Sequence, residues 1–209
     1  MKNLLKSAWG LVQENRRAYI ILNILYYTLV LIFMVYVAFN RPLQDELLKS
    51  VGASFMTGPL SFVGNAYFNA QVLAAIGATF FVNLFVGSLG TITLPSLLIP
   101  FSGVLIGFYR AALWGLILSP AHPDLRLIMI PHSLTLILEG QAYILTMLAA
   151  YIQGRSFIWP KWAGLERRGK GYLEGLKRTG KIYLLVIITL LIAAVYEVIE
   201  VIIMIKLIQ

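Results

Sequence analysis

The sequence predicts an all-α fold: a polytopic transmembrane helical bundle of about five spans, preceded by an N-terminal interfacial helix. Two observations carry that prediction. Hydrophobic residues make up 59% of the chain and charged residues only 12%, against roughly 45–50% and 25% in soluble domains. No charged residue occurs between Ser50 and Tyr109, a run too long for one crossing of a hydrocarbon layer about 30 Å thick. The 209 residues leave room for about five spans of about 20 residues each and little beside them, so residues 1–209 form a single integral membrane domain.

Residues 1–16 place Leu4, Leu5, Trp9, Leu11 and Val12 against Lys2 and Lys6, the pattern of a helix lying in the membrane interface. No short apolar core ending in a cleavage site is present there, so a removed signal peptide is not expected. The first span is 18–39, opened by Arg16 and Arg17 and closed by Arg41 and Pro42. An interfacial or partly re-entrant segment follows around Phe55 to Asn65. The second and third spans are 70–89 and 94–118, joined by a tight turn at "GSLGT", with Pro95 and Pro100 bending the start of the third. The fourth is 128–153 and the fifth 182–205. Between them the loop 155–181 carries eight Lys or Arg against two Glu. Positive loops stay in the cytoplasm, and four spans separate this one from the basic N-terminus. A cell-membrane protein with its N-terminus in the cytoplasm and its C-terminus outside satisfies both signals. Without a folded domain around it, the basic run reads as a topology determinant touching anionic lipid, and no nucleic-acid partner is expected.

Gly103, Gly107, Ala111 and Gly115 recur every four residues in the third span, forming a ridge that lets a neighbouring backbone approach. Arg110 borders this ridge. Hairpin geometry about "SPAHPD" sets Arg110 level with Glu139, each about 13 Å in from the turn and near the bilayer middle. An unpaired charge there costs at least about 2.5–3.5 kcal/mol, so a buried Arg110–Glu139 ion pair is expected, either purely structural or also lining a polar path. His132 shares a helix face with Glu139 and Thr135, and Pro131 suits a first turn. His132 therefore falls at the outer interface, hydrogen-bonded to a loop and about 10 Å from Glu139. Glu197 and Glu200 lie three apart on one face of the fifth span. They outnumber the basic groups at their depth, Lys206 reaching back only to Glu200. A partner subunit, a second copy included, or proton or cation handling remains open for them.

The segments "FVNLFVGSLGT", "SGVLIGFYRAALWGLIL" and "IPHSLTLILEGQAYILTMLAAYIQG" resemble the integral-membrane family of stage II sporulation protein M. The matching positions are Asn83, Gly103 and Gly107, Pro131 and His132, then Glu139 and Ala142. The resemblance implies a membrane protein of about five spans without catalysis. It also implies partners: cell-wall-degrading proteins for the namesake in spore formers, and ABC-type transport components for relatives elsewhere.

The chain has no cysteine and only two histidines, so neither a thiol nucleophile nor a metal site is expected, and no cofactor. No nucleophile and base fall within reach of each other on the predicted helices, which argues against an intramembrane hydrolase. The leading expectation is a non-enzymatic membrane subunit that scaffolds or couples other proteins. Its alternative is a transport subunit whose interrupted third span and buried acids line a polar path.

Overall fold

A computed structural model describes residues 2–208 of the chain. Eight helices account for nearly all of them: α1 Lys2–Glu14, α2 Arg16–Ala38, α3 Arg41–Met56, α4 Ser61–Phe68, α5 Val72–Leu98, α6 Ser102–Ile117, α7 Met129–Ile158 and α8 Arg168–Ile208. Four of these, α2, α5, α7 and α8, are long and apolar enough to cross a membrane, while α6 is apolar but only 16 residues long. The chain is thus built as a multi-pass membrane protein.

α7 is the hub. Of its apolar stretch 78% is buried inside the protein, against 22% for α2, and Tyr143, Ile144, Met147, Leu148 and Ile152 have no exposure at all. A helix apolar on every side belongs in the middle of its bundle. α8 packs along its length, where Gly175 brings α8 so close that a Cβ would lie 3.1 Å from the Gln153 Cα. The four-residue glycine spacing of α6 serves three neighbours rather than one. Gly103 faces α5 at Ile92 and Ser96, Gly107 faces the Met147 side chain of α7, and Gly115 faces the α2 backbone at Val30 and Met34. Ala111 between them is fully buried.

The tight turn expected at "GSLGT" is not there. These residues lie inside α5, whose stretch Val82–Thr93 winds as a π-helix, so the second span continues to Leu98. The reversal falls instead at Ile99 to Phe101, around Pro100, with Phe101 left-handed at φ 68°. Glycine frees space as readily as it frees the backbone: a Cβ on Gly87 would come 2.8 Å from the Tyr143 hydroxyl. The Gly103 amide donates to Ser96 Oγ at 2.7 Å and closes the α5–α6 reversal. The helix expected to begin at residue 94 accordingly starts at Ser102. Much of the predicted loop 155–181 is helical as well, since α8 begins at Arg168. The Tyr172 hydroxyl donates to the Leu97 carbonyl at 3.3 Å, tying the start of α8 to the end of α5.

α1 docks on α8 through buried Ala8, Leu11 and Val12 and leaves Leu4 and Trp9 exposed. At the opposite end α3 is clamped to the α6–α7 connection. Gln44, wholly buried, donates to the Ile117 and Ser119 carbonyls at 3.2 and 3.0 Å, satisfying the end of α6. Arg41 donates to the Ala121 carbonyl at 3.1 Å, and His122 Nε2 meets Asp45 Oδ1 at 3.0 Å. The segment expected to be interfacial or re-entrant is a helical hairpin, α3 to α4. Val63, Ala66 and Tyr67 of α4 pack on Ala75 of α5 and on Val198 and Ile202 of α8.

The helix crossings depend on absent side chains, and the cost of supplying one is measurable. A Cβ on Gly115 would stand 2.8 Å from Phe33 Cβ and 3.1 Å from the Met34 amide. Gly115→Ala should therefore destabilise the bundle by about 1–3 kcal/mol. Gly180→Ala, where nothing lies within 4 Å, should be neutral or stabilising by up to about 1 kcal/mol. Denaturation midpoints in detergent compare the two, and equal shifts would contradict this packing.

Candidate functional site: a polar centre in the apolar bundle

Arg110 of α6, His132 and Glu139 of α7 and Glu200 of α8 turn inward and take part in two hydrogen-bonded groups. The larger lies near the middle of α6. Arg110 Nη2 donates to the Tyr143 hydroxyl at 2.7 Å, that hydroxyl donates to Asn83 Oδ1 at 2.7 Å, and Asn83 Nδ2 donates to Glu139 Oε1. Every donor in this relay points from the guanidinium towards the carboxylate. Its dipoles align head to tail, and aligned hydrogen bonds polarise one another in low dielectric.

The expected direct ion pair is therefore replaced by a relay. Hairpin geometry did bring Arg110 and Glu139 to one level, but among the described ion pairs none joins them. The physical reason is Tyr143. It lies one turn beyond Glu139 on the same face of α7, and its ring sits under the guanidinium, 4.1 Å from the Arg110 Cζ. Trp114 lies against the same cation at 5.5 Å. A cation over two aromatic faces keeps electrostatic company without a carboxylate in contact. Asn83 comes from the π-helical stretch of α5 and Gly87, one turn on, makes room for the tyrosine, in keeping with the frequent use of π-helical turns at functional sites.

Glu197 of α8 completes the centre. It borders, with Glu139, Arg110, Asn83, Tyr67 and Thr79, a cavity of about 150 Å³, room for about five waters at ~30 Å³ each. Phe55, Leu60 and Val63 of the α3–α4 hairpin line its other side. The Tyr67 hydroxyl and Thr79 Oγ1 are hydrogen-bonded at 2.9 Å. Glu197 Oε2 and Arg110 Nε are buried and make no hydrogen bond to another side chain or to the backbone. Two carboxyl groups here face a single guanidinium.

The second group lies towards the α6–α7 connection. His132 Nδ1 meets Glu200 Oε1 at 3.2 Å, and Thr135 Oγ1 donates to Glu200 Oε2 at 2.8 Å. The Tyr196 hydroxyl donates to the Pro131 carbonyl at 3.1 Å. His132 was expected to bond a loop; the antiparallel register of α7 and α8 gives it a carboxylate instead. The same pairing corrects Lys206, since Glu200 takes its partners from α7. Glu197 and Glu200 thus serve different groups although they share a helix face. Thr146 stays outside both and bonds its own helix at the Ala142 carbonyl, 2.9 Å away. Among the described residues, no three His, Asp or Glu side chains gather closely enough to hold a metal ion.

The relay predicts non-additive energetics. Tyr143→Phe removes one hydroxyl but strands two buried partners, and should cost about 1–3 kcal/mol in a detergent denaturation titration. In a double-mutant cycle, Arg110→Gln and Glu139→Gln should couple by about 0.5–3 kcal/mol although they do not touch. Additive losses would show that the relay carries no energy.

Comparison of the chain with protein-family models, with curated proteins and with solved structures finds no match in any of the three.

Proposed function

We propose that the chain crosses the bilayer five times, through α2, α5, α6, α7 and α8, with the ends of α5 and α7 and the start of α8 on the cytoplasmic side. The alternation of these helices and the concentration of Lys and Arg at that end support this orientation. At about 24 Å, α6 is the short crossing, matched by local thinning or by its flanking turns. The natural absence of cysteine makes the topology directly readable. A single Lys170→Cys should be labelled by a membrane-impermeant maleimide only after the cytoplasmic face is opened, and Lys206→Cys in intact cells; the reverse pattern would invert the topology.

In function, the chain is read as a non-enzymatic membrane subunit that couples partner proteins, in line with the resemblance to the stage II sporulation protein M family. An ABC-type transport component is the class of partner that this resemblance suggests. The observation that carries this reading is the relay from Arg110 to Glu139. It commits ionisable and amide groups of α5, α6 and α7 to holding one another, which suits a part that organises others. A second reading, a transport subunit, is favoured by one observation: two carboxyl groups, Glu139 and Glu197, border one cavity together with Arg110.

Co-purification in mild detergent followed by flux measurement in proteoliposomes separates the two. The coupling reading expects a stoichiometric membrane partner and no substrate flux of the chain's own. Flux that disappears in Glu139→Gln while assembly persists would replace it with the transport reading.

A further inference from the structure

At the basic end, α1, α2 and α7 enclose a cleft of about 560 Å³ that the polar centre does not reach. Arg16 and Arg17 enter it from the first turn of α2, and Tyr151 and Arg155 from the end of α7. Arg155 is held in place. Its Nη1 donates to the Tyr151 hydroxyl at 3.2 Å, and its guanidinium lies 4.2 Å from the Trp162 ring centre. Stacking fixes the guanidinium plane and leaves further N–H groups free to donate. Glu14, at the rim, is engaged by Arg178 at 3.6 Å, so it is not committed to neutralising Arg16 and Arg17.

On the cleft's other side Ile21 and Leu22 form an apolar wall. From that wall the exposed side chains of Ile21, Ile24 and Leu25 continue along α2 towards the middle of the span. An occupant must bring an anion for three guanidinium groups and apolar chain for the track along α2.

We infer that this cleft binds one anionic phospholipid, its phosphodiester between Arg155 and the Arg16–Arg17 pair and an acyl chain along Ile21, Ile24 and Leu25. Phosphatidylglycerol keeps a net negative charge for the three guanidinium groups; phosphatidylethanolamine and phosphatidylcholine carry a cation that offsets it. The site lies beside the α1–α2 hinge, apart from the basic stretch 155–181 except for Arg155 at its edge. It holds under either functional reading, because it depends only on the basic end facing lipid headgroups.

The test reconstitutes the full chain in nanodiscs of phosphatidylglycerol, phosphatidylethanolamine or phosphatidylcholine, then counts lipids retained after detergent exchange by native mass spectrometry. One phosphatidylglycerol per chain should survive, with phosphatidylethanolamine and phosphatidylcholine retained about tenfold less. Arg155→Gln should lower phosphatidylglycerol retention about tenfold. Lys170→Gln, the same charge change at the same end outside the cleft, should not. If Arg155→Gln fails to elute as a folded species, the exposed pair Arg16→Gln and Arg17→Gln gives the same readout. Equal retention in the cleft variants and Lys170→Gln, or of all three lipids, would overturn the site. Displacement of the lipid by millimolar inorganic phosphate would overturn its lipid identity in favour of a free anion.

Discussion

A guanidinium in the middle of an apolar bundle must be met by acceptors brought to it, and this fold is arranged around meeting Arg110. Its donor reaches Tyr143, and the aromatic faces of Tyr143 and Trp114 flank the charge. The tyrosine hydroxyl needs an acceptor in turn, and the acceptor's amide needs a carboxylate. Each demand recruits another helix: α7 for Tyr143 and Glu139, α5 for Asn83. The burial of α7 on every side follows, because the helix bearing both the aromatic link and the carboxylate has to stand where the others converge. Hydrophobic packing gives little preference for one helix neighbour over another within lipid, whereas directed hydrogen bonds do.

The lateral arrangement is then secured at the ends by shorter-range devices. Gln44 stops the open carbonyls of α6, Ser119 Oγ donates to the Met34 carbonyl at 2.9 Å, and the His122–Asp45 contact holds α3 against the same connection. These place the α3–α4 hairpin over the polar cavity, so that part of its lining is apolar and comes from outside the main bundle. The centre is thereby shielded by a helical hairpin that is not among the long apolar helices.

Much of this was legible in the sequence. The apolar runs, the basic segment and the spacing about "SPAHPD" were enough to give the helical class and to set Arg110 level with Glu139. Tyr143 escaped notice because an aromatic in an apolar helix carries no signal of its own, although its four-residue offset from Glu139 marks the shared face. The turn was misplaced because "GSLGT" has two meanings: glycines that permit a reversal also permit a tyrosine to press against the backbone, and Gly87 serves the second purpose. His132 and Glu200 were separated for a different reason. With 155–181 read as one loop, the short connection at residues 159–167 that sets the register of α7 against α8 was hidden inside it, so the two helices were not aligned. Asn83 drew attention only through a family resemblance, since the π-helical winding that aims it at Glu139 leaves no periodic trace.

The length of α8 has a mechanical consequence. At 41 residues it extends about 60 Å, roughly twice a hydrocarbon layer. Glu197 lies near one end of this rod and Arg168, in its first turn, about 43 Å away. A tilt of about 10° about the polar centre would swing the basic end through about 7 Å, by the geometry of a rigid helix. α1 rides on the long arm of that lever, joined through Glu14 and Arg178. Because Glu197 lies so near one end of α8, any angular change at the polar centre would be largest, as a displacement, at the basic end.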